Sequence, residues 1–516
     1  MSYAGEHISW KSCGEINGHD LECSSIDVPL NQFDEKKEND KTFNVPLIRL
    51  RGHNAKQNIL LNPGGPGGSG INFVHRLGEF LNTVVGEDFH LVSFDPRGVN
   101  SSTPMASCYP DAASRRKLQA PKSTDFAKDS GEWYAWTSNF LQGCQDTMGE
   151  HGRYVDTPQT AADMNSILDA LGQEKMNYWG FSYGTILGQT YATLFPDRVG
   201  RLVIDGVANN FDWFSSRLDS EMFLDTQKVF DGFIEECIKA GQNCTLTEFA
   251  DTKDELIRKL RALEAELKED PIPAYIDNSN WGIVDRNTIW NTAIFPSLYK
   301  PARWHAVADQ LKKLLHGNAT DAYLEYTLGS AFNIEGDAVT FVRMNDGVSG
   351  EKNWPGGKKE VVDLVLGMIQ KFAFADTEAP LYFQKQQWPY EKTHSFKQKD
   401  DVETANPILI LSTSYDPVCP LTSARSARKA FRGSKLIEVL GYGHCSISVP
   451  SKCLAKNVRR FFNEGELPEE DIQCEVDGPY FMPPETETQI MGTDVEEDED
   501  AKLYRALVGL AKEFHN

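Results

Sequence analysis

One short pattern constrains the fold of this 516-residue chain more than any other, the sequence G-F-S-Y-G at residues 180–184. The apolar stretch Met176 to Trp179 precedes it, and a helical stretch from Thr185 to Leu194 follows and ends before Pro196. A serine between two glycines, placed between a strand and a helix, is typical of a sharp turn that presents the serine hydroxyl above a sheet. The pattern therefore predicts Ser182 as a nucleophile, and a glycine-rich turn with an incidental serine is the alternative.

The composition predicts a globular protein and argues against some classes of partner. Hydrophobic residues make up 40% and charged residues 25% of a chain long enough for one large core with a substantial insertion. The formal net charge of -23 argues against nucleic acid or anionic membrane surfaces as partners. Part of the acidic excess lies in the run Asp494–Asp500, which we interpret as a solvated tail. The sequence contains no apolar run of 18 residues, so we expect no membrane-spanning helix.

The ten cysteines favour an oxidising, secretory history. Eight of them fall into possible short-range pairs, and acceptor sequons at Asn100, Asn243 and Asn318 agree with that history. The N-terminal segment lacks the hydrophobic region of a signal peptide. We therefore expect a secreted protein if a leader is removed before Met1, and a cytoplasmic one otherwise. No C-x-x-C spacing occurs, so we expect neither a zinc site nor a redox site. The possible pairs are Cys13/Cys23, Cys108/Cys144, Cys237/Cys244 and Cys453/Cys474, with Cys419 and Cys445 left over.

A second glycine-rich loop, P-G-G-P-G-G-S-G at residues 63–70, lies between an apolar strand and a helix, and the next strand ends at Asp95. Its last six residues also fit G-x-G-x-x-G, which keeps a dinucleotide-binding site open as an interpretation. Against that interpretation, Pro66 removes an amide from the loop that would hold the pyrophosphate. The loop can instead supply an oxyanion donor beside a serine turn, and Gly65 is our candidate over Gly64. A purely structural turn is the third possibility.

The order of apolar stretches predicts an α/β fold. Residues 1–210 and 401–480 contain the strands and helices of a mostly parallel sheet with helices on both faces. Residues 211–400 are mostly helical in periodicity, and they are expected to form a large cap over the C-terminal ends of the strands, where ligands bind in open α/β folds. Residues 481–516 are expected to form an acidic tail with an amphipathic helix that docks on the core or on a second subunit. The apolar stripes are Leu256, Leu260, Leu263 and Leu267 in the cap and Leu503, Leu507, Leu510 and Phe514 in the tail.

A nucleophilic serine needs a histidine base and an acid that fixes the tautomer of the imidazole. Where the serine lies in a turn of this kind, the chain order is serine, acid, histidine, with each residue on a loop after a strand. Asp416 and His444 meet that order, because each follows an apolar run that ends in turn residues. Asp205 also ends a strand and is the rival acid. We predict Ser182, His444 and Asp416 as a catalytic triad.

Together with the triad, several motifs spread over residues 10–480 resemble those of one family. The chain resembles the α/β-hydrolase serine peptidases of the prolyl-iminopeptidase type, and in particular their tripeptidyl-aminopeptidase-like branch. The resemblance implies an α/β-hydrolase fold and acyl transfer with neither a metal nor an organic cofactor. The motifs that carry it are N-P-G-G-P-G-G-S-G from Asn62, D-P-R-G from Asp95, G-F-S-Y-G-T from Gly180, D-G-V from Asp205, D-P-V from Asp416, G-H at Gly443, and Cys453 with the ending from Leu467 to Cys474.

The resemblance also implies a peptide substrate. Aminopeptidases of this type hold the free amino terminus of the substrate with acidic cap residues, for which Glu221 and Asp346 are the candidates here. The backbone amides of Tyr183 and Gly65 are the expected oxyanion hole. The leading hypothesis is therefore an exopeptidase that releases single residues or short peptides from the amino terminus.

Other functions stay open at this point. An ester, lactone or amide hydrolase of a small molecule, in secondary metabolism for example, is the main alternative. An NAD-dependent oxidoreductase and a binding module that has lost turnover are more remote ones. Cys419 and Cys445 lie beside predicted triad members and are expected to form either a disulfide or two buried thiols. The sequence makes no prediction about oligomeric state.

Overall fold

A computed structural model describes residues 1–34, 40–122, 125–328, 336–483, 486, 490 and 498–514 of the chain. Within these residues the largest element is a ten-stranded sheet with the strand order β1-β2-β3-β5-β4-β6-β7-β10-β11-β12. A separate two-stranded hairpin pairs β8 with β9. The strands are β1 Lys11–Ile16, β2 His19–Pro29, β3 Thr42–Leu50, β4 Gln57–Asn62, β5 Phe89–Phe94, β6 Met176–Phe181, β7 Val199–Asp205, β8 Ile272–Asp277, β9 Asn280–Val284, β10 Leu409–Tyr415, β11 Lys435–Tyr442 and β12 Ile472–Glu475.

The relative direction of neighbouring strands changes at one position in the sheet, at β5. From β1 to β5 the neighbouring strands are antiparallel, and from β5 through β4 to β12 they are parallel. Every residue of β5 and of β6 is buried, as expected for parallel strands covered by helices on both faces. In the parallel part, the loops after β4, β6, β7, β10 and β11 therefore emerge at one edge of the sheet.

Helices cover both faces of this sheet. The helices are α1 Gly70–Val85, α2 Ala112–Lys117, α3 Phe126–Met148, α4 Thr157–Ala170, α5 Tyr183–Leu194, α6 Asn210–Ser215, α7 Thr226–Ala240, α8 Lys253–Glu269, α9 Phe295–Tyr299, α10 Trp304–Leu315, α11 Thr320–Tyr323, α12 Ala338–Asp346, α13 Lys358–Lys371, α14 Leu381–Gln387, α15 Leu421–Ala430, α16 Lys452–Glu464 and a C-terminal helix Glu499–Glu513. Apolar residues of α4, α5 and α15 belong to one hydrophobic cluster. Those of α1, α16 and the C-terminal helix belong to another, on the opposite face.

The segment between β7 and β10, called the cap below, has its own hydrophobic cluster. The predicted leucine stripe of α8 is buried in it, with no member more than 4% exposed. The hairpin of β8 and β9 was not predicted. Its strands are short and largely exposed, with Trp281 64% accessible to solvent, so they lack the alternating apolar pattern that marks a half-buried strand.

The described part of the tail contains a helix. A helix over Lys502 to Phe514 was expected, and the observed helix begins three residues earlier, where the side chain of Asp498 accepts a hydrogen bond from the N–H of Ala501 at 2.8 Å. Its apolar stripe packs on α1 and α16 of the same chain. Most of the acidic run Asp494–Asp500 lies outside the described residues.

Four disulfides link the chain, and they join the four pairs that the spacing suggested as possible. Cys419 and Cys445 are buried free thiols, so the alternative of a disulfide between them is not what the structure contains. Among the described residues, no helix combines the length and the apolarity that a membrane crossing requires.

Candidate active site

Ser182 lies at the turn between β6 and α5, at the edge where the loops of the parallel strands meet. Its φ of 56° is in the left-handed region that non-glycine residues rarely adopt. The flanking glycines are required by close contacts, because a Cβ atom at Gly180 would lie 2.4 Å from the carbonyl oxygen of Gly184. The N–H of Ser182 donates to the carbonyl oxygen of Asp205 at 3.0 Å, which ties the turn to the end of β7. The predicted sharp turn is therefore present.

Asp416 and His444 meet beside this turn, on the loops after β10 and β11. Nδ1 of His444 lies 2.8 Å from Oδ2 of Asp416, and both side chains are fully buried. The Asp416 carboxylate also accepts the backbone N–H groups of Val418, Cys419 and Cys445 at 3.0, 2.7 and 3.1 Å. Four donors thus fix the position of the carboxylate, which in turn orients the imidazole.

The loop that carries His444 is linked to the Ser182 turn through the end of β7. The thiol of Cys445 donates to the carbonyl oxygen of Asp205 at 3.4 Å, and the N–H of Ser182 donates to the same oxygen. A Cβ atom on Gly206 would lie 2.4 Å from the Cys445 sulfur, so only glycine fits there. The structure brings the three predicted triad residues to one edge of the sheet.

Asp205, the rival acid, has a different set of partners. Its carboxylate accepts the N–H and the hydroxyl of Ser446, both at 2.7 Å. Burial raises the pKa of Asp205 to about 6. The bonds to Ser446 fix the backbone two residues beyond His444, so Asp205 supports the loop of the histidine, whereas Asp416 contacts the imidazole.

The glycine loop after β4 packs against the other side of the turn. A Cβ atom at Gly64 would lie 2.9 Å from Cβ of Ser182 and 3.0 Å from the amide nitrogen of Tyr183. The N–H of Gly64 donates to the side chain of Asn62 at 3.0 Å, which leaves the N–H of Gly65 as the next donor of this loop. The N–H of Tyr183 is at the first position of α5, where no intrahelical acceptor exists. Both amides are therefore available near the serine.

The carboxylate of Asp95 stabilises this loop. Its contacts bear on whether the loop binds a dinucleotide. The Asp95 carboxylate accepts the hydroxyl of Ser69, the residue that caps α1, at 2.6 Å, and the side-chain amide of Asn100 at 2.8 Å. A ribose-binding acid would need its oxygens directed at a ligand. The carboxylate instead stabilises the loop that packs on Ser182.

A cavity of about 370 Å³ opens between the cap and the edge of the sheet that carries Ser182. Its walls combine core residues from the two glycine-containing turns with cap residues. Cys419 also borders it. The residues that line it and enter the arguments below are Gly65, Phe73, Arg76, Ser182, Tyr183, Asp212, Trp213, Asp219, Glu221, Arg343, Glu378 and Phe514.

The acidic residues of the cavity fall into two groups. Asp219 and Glu378 are both paired with Arg343, at 2.8 and 2.6 Å. Among the described residues, neither Asp212 nor Glu221 forms an ion pair. Glu221 accepts two hydrogen bonds from the Asn209 side chain at 3.0 and 3.1 Å and one from Ser423 at 2.6 Å.

The second carboxylate without an ion pair, Asp212, lies on α6. Burial raises its pKa, and the charges of Asp219 and Glu221 add to the rise. The bond from the Ser216 hydroxyl and the charge of Lys385 oppose it. The charge of Glu221 thus reaches Asp212, so one part of the cavity concentrates negative charge. A cationic group on a ligand would offset this charge.

Asp346 does not line the cavity, although it was expected to contact substrate. Its carboxylate is fully buried and accepts the N–H of Thr157 at 2.9 Å, the Thr157 hydroxyl at 2.5 Å and the indole N–H of Trp213 at 2.8 Å. Burial raises the pKa of Asp346 to about 6. The sequence shows that this acid is in the cap but not which way it faces. Asp346 therefore supports residues of the cavity wall, of which Trp213 is one.

Sequence reasoning missed Asp212, Trp213 and Phe514 as residues of the cavity. Asp212 and Trp213 come soon after the D-G-V motif at the end of β7. This position in the chain was the only signal that could have placed them near the cavity. Phe514 was predicted to pack on the core, but more than 300 residues separate it from Ser182. Such proximity depends on the tertiary fold.

Comparison with known families agrees with this architecture. Residues 57–297 match a family described as alpha/beta hydrolase fold, and residues 376–474 match a family described as TAP-like protein. The chain has the α/β-hydrolase fold and is a serine hydrolase. Within that class it carries the TAP-like segment, which includes Asp416 and His444.

Three relatives illustrate the range of names in this group. A tripeptidyl aminopeptidase of Streptomyces lividans is 27% identical over 507 residues, which cover 92% of this chain and 87% of the relative. The serine protease Hip1 of Mycobacterium tuberculosis is 27% identical, with 91% of each chain covered. Carboxylesterase B of Mycobacterium tuberculosis is 26% identical, with coverage of 90% and 89%.

Proposed function

We propose that this protein is an aminopeptidase that releases single residues or short peptides from free amino termini. The observation that carries the proposal is the pair Asp212 and Glu221, two carboxylates without ion pairs among the described residues, in the same cavity as Ser182. An ammonium group binds such carboxylates with charge-assisted hydrogen bonds. The names of two relatives, a tripeptidyl aminopeptidase and a serine protease, support the same function.

The proposed mechanism is acyl transfer. His444 is oriented through Nδ1 by Asp416, and its other ring nitrogen takes the proton as the Ser182 hydroxyl attacks the substrate carbonyl. The amides of Gly65 and Tyr183 stabilise the oxyanion, and each such donor is commonly worth about a hundredfold or more in rate. His444 then protonates the departing amine, and it later activates the water that cleaves the acyl-enzyme.

The proposal predicts a strong dependence on the free amine. We would compare tripeptidyl p-nitroanilides with a free or an acetylated amino terminus, using the wild type and the isosteric variants Glu221→Gln and Asp212→Asn. We expect the wild type to prefer the free amine, and each variant to raise KM for free-amine substrates by about tenfold, because one charged contact is lost. The acetylated substrates should respond little.

A matched control is available in the cap. Glu248 is 47% exposed, pairs with Lys312 and is not a lining residue of the cavity, so Glu248→Gln should leave both substrates unaffected. If the wild type cleaved acetylated and free substrates equally well, the amine site would be excluded while the serine hydrolase assignment would stand.

Hydrolysis of a small ester, lactone or amide is the second candidate. Apolar groups line part of the cavity, Phe73 and Phe514 among them, and the relative named carboxylesterase B favours this function. Assays with p-nitrophenyl esters beside the peptide anilides separate the two, since cleavage of esters alone would contradict the peptidase. A fluorophosphonate probe should label Ser182 under either enzyme function, and failure to label would favour a binding module.

The four disulfides support an oxidising compartment as the place where the protein works. Mass spectrometry of the native protein, alkylated without reduction, tests this. Alkylation limited to Cys419 and Cys445 after denaturation supports that location, and ten alkylated cysteines would contradict it.

A further inference from the structure

The C-terminal helix is the last element of the described chain, and it lies beyond the TAP-like match, which ends at residue 474. Leu503, Leu507 and Leu510 on its apolar stripe are at most 3% exposed and pack among apolar residues of α1 and α16. A Cβ atom on Gly509 would lie 2.6 Å from the ring of Phe80, so this helix and α1 approach closely. The helix is thus an integral part of one face of the core.

The end of this helix reaches the cavity. Phe514 is 2% exposed, and its ring centre lies 5.6 Å from that of Phe181 and 6.4 Å from that of Phe73. Phe181 is the residue before Ser182, and Phe73 lies on α1, the helix that follows the glycine loop. The guanidinium of Arg76 donates to the carbonyl oxygen of Glu513 at 3.3 Å, which ties the end of the helix to α1.

The cavity has two chemically different ends, and they belong to opposite faces of the sheet. Glu221 is bonded to Ser423 on α15, on the face that α4, α5 and α15 cover. Phe73 and Phe514 belong to the hydrophobic cluster on the other face. Ser182 lies at the edge of the sheet between them. A substrate bound at both ends would therefore place its scissile bond near the middle.

We propose that Phe514 and Phe73 form the leaving-group subsite of this hydrolase and give it a preference for apolar leaving groups. The inference rests on the proposed function in one respect, that the amino end of the substrate occupies the acidic end. The acyl carbon then bonds to Ser182, the amide C–N bond breaks, and the amine that takes the proton from His444 leaves from the apolar end. Phe514 is thus a specificity-determining residue supplied by the tail.

The test uses substrates with one acyl part and different leaving groups. Tripeptides extended by the amide of glycine, alanine, leucine or phenylalanine would be assayed for kcat/KM with the wild type, Phe514→Ala and Phe514→Trp. The wild type should prefer the phenylalanine leaving group, and Phe514→Ala should reduce the phenylalanine-to-glycine ratio about tenfold, the effect of removing apolar contacts from a pocket. Phe514→Trp should fill the subsite and disfavour phenylalanine while sparing glycine.

Leu507→Ala is the matched control, since Leu507 is on the same stripe and does not line the cavity. It should lower the melting temperature as Phe514→Ala does but leave the ratio unchanged. A parallel series of esters that differ only in the alcohol is assayed in the same way. If the amides are not cleaved, the peptidase proposal fails, but the dependence of kcat/KM on the size of the alcohol still tests the subsite. Equal effects of Phe514→Ala on all leaving groups, in both series, would overturn the inference.

Discussion

Asp346 in the cap and Tyr183 beside the nucleophile are joined through a single hydroxyl group, that of Thr157. The Thr157 hydroxyl donates to the Asp346 carboxylate at 2.5 Å and lies 2.5 Å from the phenolic oxygen of Tyr183. Burial raises the pKa of Tyr183, and the neighbouring charge of Asp346 adds to the rise, so the phenol stays neutral and can donate. Since the amide of Tyr183 is the proposed oxyanion donor, this chain of bonds connects the cap to the reaction site.

Thr157→Val should therefore weaken both stability and turnover. The substitution leaves a buried phenol and a buried carboxylate oxygen without the hydroxyl partner, which costs about 1–3 kcal/mol for an unsatisfied buried group. Urea unfolding measures the stability loss, and kcat should fall because the turn is less well held. Thr157→Ser keeps the hydroxyl and should stay close to the wild type. Equal stability of the valine variant would show that the bridge contributes nothing.

The assignment of the acid can be tested with two isosteric variants. Asp416→Asn should lower kcat by about 10⁴-fold, because the wrong imidazole tautomer is then favoured at Nδ1. Asp205→Asn should lower it far less, since Asp205 contacts Ser446 and not the imidazole. Circular dichroism serves as the control for the fold. A larger loss in the Asp205 variant would reverse the two roles.

The buried Asp156 predicts a measurable pH dependence of stability. It caps α4 through a 2.8 Å bond from the N–H of Gln159, and burial raises its pKa from 3.8 to about 6 despite the neighbouring Arg97. The folded state therefore binds this proton more tightly than the unfolded state. The contribution of Asp156 to the free energy of unfolding falls as the pH rises from about 4 to about 6, by about 2–3 kcal/mol.

Asp156→Asn keeps a capping side chain and removes this titration. Relative to the wild type, the variant should gain stability between about pH 4 and about pH 7, as measured by urea unfolding at both values. Asp111→Asn supplies a control, because Asp111 is also a helix cap but is exposed. A constant difference between wild type and the Asp156 variant at both pH values would contradict the raised pKa.

The disulfides should differ in their contribution to stability according to the length of chain that they close. Cys108–Cys144 spans 36 residues and Cys237–Cys244 spans seven. From the loss of loop entropy in the unfolded chain, replacing the first pair by serine should cost about 4 kcal/mol and the second about 2 kcal/mol. Urea unfolding of the two double variants measures both, and the opposite order would show that native-state contacts outweigh loop length.

Much of the candidate site was predictable because its residues lie at the ends of strands. Ser182, Asp416 and His444 each follow an apolar run, and parallel strands deliver such positions to one edge of the sheet whatever the cap does. Asp205 meets the same chain order, and Asp416 was preferred because Gly206 and Val207 follow Asp205 in a tight connection to the cap. The glycine loop was recognisable for the same local reason, that only glycine fits where backbones meet.

The composition of the cavity was not predictable in this way. Asp346 and Glu221 are both acids of a helical cap, yet one is buried against Thr157 and the other borders the cavity. Their difference depends on how cap helices pack on the core, which involves contacts between residues far apart in sequence. The exposed hairpin of β8 and β9 was missed because its side chains carry no burial pattern.

The sequence by itself determined the strand-turn-helix at Ser182 and the order of the candidate triad, and it suggested possible pairs for eight cysteines, because local sterics and short spacing control these features. The tertiary structure alone decided that, within the described part of the chain, Asp212 and Glu221 have no ion pair while Asp219 and Glu378 share Arg343. It also decided that Phe514 reaches the wall of the cavity. Electrostatic balance and cavity shape arise from packing between distant segments, and no local pattern in the chain encodes them.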